Sequence, residues 1–382
     1  MTKGMFALIP IGGALVGHFI ITRQWKLLFA WRWLVAVVLI LIFILPELYC
    51  LNQQFDLHPE KLVFGQHHVS GIKFFFWDSQ FGRFFNTGPI KGHGDPSFFV
   101  HTTLWAFLPW SLLLFAAIFQ FIKKGVKTVQ ETEWYCISGA MLTFLLFSAS
   151  KFQLPHYLNI VFPFFAIIAA KYLYNVKGEK SIKAIRAVQM VVNILMVVVI
   201  CLLEYYFMPA STGLVPIIML AVVILLLRLS QRISSQIIPQ VIFRTLIVSF
   251  IINIWLNTAF YPALMHYQSG SEAAMWINKN NPNKLPVVEI SDEYMTAMQF
   301  YSDQIPVNIN PDGTGNLPNG PFLLYATNNI VDQLNAKGWH TQTVKTFQRY
   351  WVSRLIPAFL NKATRAKELT PVEVVLVSKS EP

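Results

Sequence analysis

Residues 33–50 read WLVAVVLILIFILPELYC, with Glu47 as their only charged residue. An α-helix needs about 20 mostly apolar residues to cross the hydrocarbon core of a bilayer, so this stretch predicts a membrane-spanning helix. The whole chain has the same character: 54% of its 382 residues are hydrophobic and only 13% are charged. A soluble domain carries about 25% charged residues. The shortage of charge indicates a lipid-facing surface and argues against a soluble enzyme, a disordered protein or a nucleic-acid-binding domain.

Eight apolar runs are predicted as spans, at about 5–22, 33–50, 102–122, 133–149, 153–172, 187–207, 213–229 and 243–264. One alternate set of short loops between them carries most of the lysines and arginines, whereas the short loops of the other set carry only Lys151. Positive loops stay in the cytoplasm, so the outer side is predicted to hold the N-terminus, the 51–101 loop, the 150–152 turn and everything after 264. The net charge of +11 is then largely a matter of topology.

The composition becomes polar after residue 264, where short β-rich runs at 287–290, 322–325 and 372–377 alternate with helix-like stretches near 270–279, 293–301 and 328–337. The predicted fold is therefore mainly α. Residues 1–264 form a transmembrane helix bundle with a periplasmic loop at 51–101, and residues 265–382 form a small periplasmic α/β domain.

The long outer loop, 51–101, combines aromatic patches with histidines and basic residues, among them Arg83, Lys91, His93 and Asp95. Aromatic residues with cationic neighbours suit helices that lie in the membrane interface. Such a loop could hold lipid headgroups against its cationic side chains, or it could be a connecting loop with interfacial anchors. Composition alone does not separate these two interpretations.

A second polar patch occupies the turn between the fourth and fifth spans, Ser148 to Tyr157. Lys151, His156 and Tyr157 would lie at the headgroup level of the outer face, where such residues are often simple anchors. Lys3, Lys91 and His93 are predicted on the same side of the membrane. Cationic groups that converge at one leaflet suit a lipid phosphate, because they form charge-assisted hydrogen bonds with its oxygens.

No cofactor or metal is predicted, although a divalent metal remains an alternative because His67, His68, His93 and Asp95 are suitable ligand types. Their spacing does not place a set of ligands on one helix face. Glu204, near the outer end of the sixth span, is an intramembrane acid for which exposure to water is the simpler interpretation. The three cysteines, at 50, 136 and 201, show no disulfide pattern.

Four segments resemble the bacterial polytopic membrane glycosyltransferases of the aminoarabinose transferase and protein O-mannosyltransferase superfamily. They are Thr2-Lys3-Gly4 before an apolar run, the stretch 92–99, Leu108-Pro109-Trp110-Ser111, and Ser150-Lys151-Phe152-Gln153-Leu154-Pro155-His156-Tyr157. The last of these is the most specific, and the resemblance covers residues 1 to about 175.

The resemblance implies transfer of a sugar from a polyprenyl-phosphate donor to a periplasmic acceptor such as lipid A, a glycan or a protein, in a bacterial inner membrane. It implies two sets of residues in this chain: Lys151, Tyr157, Lys91, His93 and Lys3 for the donor phosphate, and Arg83, Asp95 and His156 as site lining.

The chain departs from the family pattern in two respects. Asp95 stands where the family often has a basic residue, and the family's outer-loop catalytic acid precedes the Thr-Lys-Gly motif. We therefore expect the chain to be the C-terminal portion of such a transferase, by truncation or as a partner of a separately encoded N-terminal half.

Two other classes of function stay open. A polyprenyl-linked glycan transporter or flippase would favour paired acids or broken helices at mid-membrane together with internal repeats, which the sequence lacks. A non-catalytic subunit of a split transferase would purify together with a membrane protein that carries the missing helices.

Overall fold

A computed structural model describes residues 5–61, 63–125, 133–207, 217, 221–225, 228, 236–290, 296–309 and 317–379. Lys3 with its Thr-Lys-Gly motif and most of the predicted span 213–229 lie outside the described residues. The chain divides into two compact units, Met1–Met190 and Val191–Pro382.

The described helices of the first unit are α1 (Leu8–Ile21), α2 (Trp25–Leu28), α3 (Arg32–Leu51), α4 (Gly71–Lys73), α5 (Arg83–Phe85), α6 (Phe98–Ala106), α7 (Ser111–Lys124), α8 (Trp134–Ala149) and α9 (Phe162–Asn175). 3₁₀ turns occupy Met5–Ala7 and Pro155–Ile160, and π-helical segments occupy Asn52–Asp56 and Phe74–Gly82. Helix α10 (Glu179–Phe207) runs across the boundary between the units.

Helices α1 and α8 pack closely because small residues face each other. A Cβ added at Gly13 would lie 2.8 Å from the side chain of Leu142, and one at Gly17 would lie 2.4 Å from the Cβ of Ser138. The Ser138 hydroxyl donates a hydrogen bond to the Ala14 carbonyl oxygen at 3.2 Å. The Gly-x-x-x-Gly spacing of α1 therefore serves close helix packing.

Two predicted spans are interrupted by proline. Within 102–122, α6 ends at Ala106 and α7 begins at Ser111, because Pro109 has no amide hydrogen to continue the helical ladder. Within 153–172, Pro155 begins the 3₁₀ turn, and α9 begins only at Phe162 with Pro163 in its first turn.

Three helices of the described chain are long and apolar enough to cross a membrane: Trp25–Asp56, Glu179–Phe207 and Ile237–Met265. Shorter apolar helices cover Met5–Ile21, Ser111–Lys123 and Trp134–Ala149. The prediction of a mainly helical membrane fold is confirmed at this level, and the number of eight spans stays a prediction.

The described helices of the second unit are α11 (Ile237–Trp255), α12 (Tyr261–Met265), α13 (Ser269–Asn280), α14 (Thr296–Tyr301), α15 (Asn328–Ala336) and α16 (Pro357–Leu360). A π-helical turn, Leu256–Phe260, joins α11 to α12, and a 3₁₀ turn covers Arg365–Glu368. The strands are β1 (Val287–Ile290), β2 (Val307–Ile309), β3 (Phe322–Thr327), β4 (Trp339–Arg349) and β5 (Thr370–Lys379).

These strands form one mixed sheet in the order β2-β1-β3-β5-β4. Strand β1 runs parallel to β2 and β3, whereas β5 runs antiparallel to β3 and β4. One face packs on α15 through Val331 and Leu334, and the other packs on α13 through Ala273 and Ile277. Burial on both faces explains why β3 is a nearly continuous apolar run and why β1 is apolar apart from Glu289.

Sequence patterns predicted β1, β3 and β5 and helices α13 to α15. The structure contains all of them, so the prediction of a part with both helices and strands is confirmed. They missed β2 because it has only three residues, and they missed β4 because its side chains are mostly exposed and polar. Location of this part in the periplasm stays a prediction.

A single arginine closes the C-terminal end of α10. Arg365 donates hydrogen bonds to the carbonyl oxygens of Phe207 (2.7 Å) and Phe359 (3.0 Å) and to the Tyr267 hydroxyl (3.1 Å). Its guanidinium also lies over the rings of these three residues, at 4.2 Å from the centroid of Phe207. The positive charge suits the partial negative charge of the helix C-terminus.

Candidate functional site

The first unit contains a cavity of about 260 Å³. The walls come from the 3₁₀ turn before α1, the π-helical segment Phe74–Gly82 with the start of α5, the end of α8, and the turn that leads into Pro155–Ile160. Its lining residues are Phe6, Ala7, Ser79, Gln80, Arg83, Phe84, Phe147, Ser150, Phe152, Leu154, His156, Tyr157 and Ile160. The cavity therefore brings together segments that are separated by up to about 150 positions in the sequence.

Aromatic rings make most of the apolar wall. The ring of Phe6 lies 6.1 to 6.3 Å from the rings of Phe81, Phe84 and Phe147, and Tyr157 packs on Phe147 at 5.9 Å. These spacings are typical of aromatic pairs that contact edge to face or in a tilted arrangement. This part of the wall is apolar, which suits the hydrocarbon part of a ligand.

Arg83 supplies a cationic group to this wall. Its guanidinium carbon lies 5.4 Å from the centroid of the Phe152 ring, which holds it by a cation–π contact. Its Nε atom is buried and has no hydrogen-bond partner among the described residues. Arg83 lines the cavity, so its positive charge would stabilise an anionic group bound there.

Gln80 lines the cavity beside Arg83 and is nearly buried. Its side-chain amide donates to the Ser79 hydroxyl at 3.0 Å, and that hydroxyl donates to the Phe75 carbonyl oxygen at 3.0 Å. This short network fixes the direction of the Gln80 amide. The π-helical segment places Ser79 and Gln80 on the cavity side, next to Arg83 at the start of α5, and such segments are frequent at functional sites.

The segment around His93 docks on the turn that contains Lys151. A Cβ at Gly92 would lie 2.9 Å from the Lys151 carbonyl oxygen, and one at Gly94 would lie 2.5 Å from the Ser150 carbonyl oxygen. Only glycine permits this approach. Asn86 adds a clamp, since its side-chain amide and carbonyl both bond to the backbone of Gly92 at 3.0 and 2.8 Å.

Two further hydrogen bonds hold the same segment. The Asp95 amide donates to the side chain of Gln153 at 2.9 Å, and the Asp95 carboxylate accepts from the Ser97 amide at 2.8 Å and from its hydroxyl. The Ser97 amide and then its hydroxyl lower the pKa of Asp95 below its ordinary value. Asp95 therefore stabilises the turn that leads into α6.

The structure thus separates the predicted site residues into two groups. Arg83, His156 and Tyr157 line the cavity. Lys151, Lys91, His93 and Asp95 lie on the docked segments beside it, with side chains exposed. The turns that carry Lys151 and His93 are in contact, but these side chains do not line the cavity wall.

Sequence reasoning missed Ser79, Gln80 and the wall made by Phe6. The helical period of 3.6 residues does not describe a π-helical segment, so no periodicity in the sequence marks Gln80 as inward-facing. Phe6 is one of many apolar residues at the head of the first span, and nothing in its neighbourhood distinguishes it.

Two other candidates from the sequence were a metal site and the intramembrane acid Glu204. No group of three or more His, Cys, Asp or Glu side chains in the described part of the chain is placed to hold a metal ion. Glu204 belongs to the second unit, where it accepts a hydrogen bond from the Trp255 indole at 3.1 Å.

No family model matches the chain. The chain is similar to the undecaprenyl phosphate-alpha-4-amino-4-deoxy-L-arabinose arabinosyl transferase of Edwardsiella ictaluri. The two are 32% identical over 188 residues, which are 49% of this chain and 30% of that relative.

Two crystal structures of ArnT from Cupriavidus metallidurans share the fold. The structure bound to undecaprenyl phosphate is 18% identical, with a TM-score of 0.63 over 98% of this chain and 66% of that chain. The apo structure is 17% identical, with a TM-score of 0.62 over 98% of this chain and 65% of that chain. The resemblance to the aminoarabinose transferases is therefore confirmed, and the chain spans less than two thirds of the length of these relatives.

Proposed function

We propose that this chain is the donor-binding portion of a membrane glycosyltransferase, which transfers a sugar from a polyprenyl-phosphate donor to a periplasmic acceptor such as lipid A, a glycan or a protein. The similarity to an undecaprenyl phosphate-dependent arabinosyl transferase supports the donor class and the reaction. The shared fold with ArnT bound to undecaprenyl phosphate supports it further.

The observation that carries the proposal is an aromatic cavity with an arginine, Arg83, in its wall. The rings around Phe6 and Phe147 would contact the first prenyl units of the donor. Arg83 would contact the phosphate, with Tyr157 beside it. Lys151, Lys91 and His93 lie on neighbouring exposed turns and would add positive potential at the entrance. Lys3, outside the described residues, is proposed for the same phosphate on the resemblance alone.

In this reaction the bond between the sugar carbon and the phosphate oxygen breaks, and a bond from the acceptor hydroxyl oxygen to that carbon forms. Polyprenyl phosphate leaves with an additional negative charge on its phosphate. Cationic groups aimed at that charge stabilise the transition state more than the ground state. The hydroxyl proton goes to a general base, for which the resemblance implies an acid outside residues 1–382, and this stays a prediction.

The proposed topology places the helices in a bacterial inner membrane, with residues 265–382 and the cavity on the periplasmic side. The long apolar helices and the asymmetric distribution of lysines and arginines in the loops support this orientation. A domain boundary near residue 264 and a separately encoded N-terminal half belong to the same proposal.

The test measures binding of undecaprenyl phosphate to the full chain in nanodiscs. Arg83→Ala removes the cationic donor of the cavity, so we expect about tenfold to a hundredfold weaker binding, the equivalent of one charged hydrogen bond. Arg354→Ala is the control because Arg354 is exposed and lies outside the cavity. Equal binding by the Arg83→Ala variant and the unaltered chain would exclude this cavity as the donor site.

A second measurement separates the classes of function. Sugar transfer from a labelled polyprenyl-phosphate donor to lipid A is assayed with the chain alone and with an added N-terminal half of a related transferase. Transfer in either case supports the enzyme. Donor binding without transfer in both cases favours a non-catalytic subunit, and movement of the donor between leaflets without transfer favours a transporter.

A further inference from the structure

Residues 57–70, here named the histidine loop, follow directly on the long apolar helix Trp25–Asp56. None of the loop residues that the structure describes, 57–61 and 63–70, lines the cavity described above. A loop that begins where a spanning helix ends lies at the level of the lipid headgroups. Three of the nine histidines of the chain, His58, His67 and His68, occur in this loop.

The three imidazoles are held in the same way, each through its Nδ1 atom. Nδ1 of His58 lies 2.8 Å from the Glu60 carboxylate. Nδ1 of His67 lies 3.0 Å from the Glu60 carbonyl oxygen, and Nδ1 of His68 lies 3.2 Å from the Pro59 carbonyl oxygen. A carbonyl oxygen only accepts hydrogen bonds, so Nδ1 carries the hydrogen and Nε2 is left for a second partner. All three rings are exposed.

The net charge of the stretch 56–73, which contains the histidine loop, depends on its imidazoles. The two carboxylates of this stretch, Asp56 and Glu60, are balanced by its two lysines, Lys61 and Lys73. Asp56 accepts hydrogen bonds from Ser70 and from the backbone that follows it, and the Lys61 ammonium donates to a backbone carbonyl at 2.7 Å. Protonation of the rings therefore changes the segment from neutral to strongly positive, with each added Nε2–H able to donate to an anion.

The carboxylate nearest to the rings stays ionised during this change. A hydrogen bond from its own backbone amide, and then the one from His58, lower the pKa of Glu60 below its ordinary value.

The tip of the loop adds an apolar contact. Val63 and Gln66 exchange backbone hydrogen bonds of 2.9 and 3.0 Å around Phe64 and Gly65, which both have positive φ, of 53° and 72°. A bulky residue in this conformation is uncommon and costs free energy. The turn nevertheless presents Phe64 with 54% of its surface exposed, and Leu57 is 57% exposed. Apolar tips among cationic groups are typical of interfacial lipid contacts.

We propose that the histidine loop binds the phosphate of an anionic lipid headgroup, and that this binding strengthens as the three imidazoles become protonated. The Nε2–H groups donate to the phosphate oxygens while Phe64 and Leu57 contact the acyl boundary. The site is separate from the donor cavity and stands whether or not the chain transfers a sugar.

The test uses the full chain in phosphatidylcholine nanodiscs and a fluorescent phosphatidylglycerol, whose charge is constant over the range studied. Binding is measured at about pH 5.5 and about pH 8, on either side of the ordinary imidazole pKa of about 6.5. We expect about tenfold tighter binding at the lower pH, the equivalent of three surface ion pairs.

The triple variant His58→Gln/His67→Gln/His68→Gln keeps donors to the same acceptors but cannot gain charge, so its binding should not depend on pH. His266→Gln is the matched control because the His266 ring meets Glu272 at 2.9 Å outside the loop. Far-ultraviolet circular dichroism verifies that each variant is folded.

Three outcomes would overturn the proposal. The first is equal binding at both pH values by the unaltered chain, and the second is a triple variant that keeps the full pH dependence. The third is binding of radiolabelled inorganic phosphate as tight as that of the lipid, which would identify free phosphate rather than a lipid as the ligand.

Discussion

Removal of the Arg365 side chain should loosen the second unit at the end of helix α10. The two shortest hydrogen bonds of Arg365, to the carbonyl oxygens of Phe207 and Phe359, contribute about 3 kcal/mol together at the low end for charged donors, which suits a partly buried group. The contacts over the aromatic rings add about 1 kcal/mol. Arg365→Ala should therefore cost about 4 kcal/mol.

For a unit of this size, such a loss lowers the melting temperature by about 8 to 16 °C. The assay is thermal unfolding of the detergent-solubilised chain, followed by tryptophan fluorescence, together with hydrogen exchange of residues 357–369. Arg365→Lys should give an intermediate loss because an ammonium keeps the charge but cannot reach several acceptors at once. Arg354→Ala is the control, since Arg354 is exposed.

A melting temperature of Arg365→Ala within about 2 °C of the unaltered chain would refute this reasoning. It would mean that water and the neighbouring rings satisfy the carbonyl oxygens as well as the guanidinium does. Faster exchange in 357–369 without a change in melting temperature would show that the stabilisation is local.

Three further predictions concern the first unit. Gly17→Leu should destabilise the α1–α8 pair by about 1 to 3 kcal/mol in thermal unfolding, because its Cβ would lie 2.4 Å from a side-chain carbon of the facing helix, whereas Gly12→Ala, with open space at its Cβ, should be neutral. Gly94→Ala should weaken undecaprenyl phosphate binding by displacing the docked segment from the adjacent turn, and Gly320→Ala should leave binding unchanged. Asp95→Asn should be less stable than the unaltered chain at neutral pH, and this difference should shrink as the pH falls below 3.8 through the lowered pKa of Asp95, as followed by chemical unfolding at a series of pH values.

Much of the fold follows from composition and short-range pattern. Apolar runs with few charges predict helices in lipid wherever they occur, and strands buried on both faces, such as Phe322–Thr327, are nearly continuous apolar runs. Strand β4 was not predicted because it is an exposed edge strand without a continuous apolar run. The proline breaks near Pro109 and Pro163 are visible in the sequence, but where each neighbouring helix ends depends on packing.

The candidate site was predicted only in part for a related reason. The Ser-Lys-x-x-Leu-Pro-x-Tyr stretch identified Tyr157 and the turn at Lys151, because its residues are contiguous. The contribution of Gln80 depends on a π-helical segment, and the close approach of Gly94 depends on a turn more than fifty positions away. Neither leaves a pattern in the local sequence.

The amino-acid sequence by itself determined that this chain is a helical membrane protein with a small α/β part, because the scarcity of charge and the length of its apolar runs act locally through the cost of exposing or burying each residue. Only the tertiary structure decided which cationic group faces the aromatic cavity. That choice depends on contacts such as the one between Arg83 and Phe152, whose distance is set by how separate segments pack and not by their order in the chain.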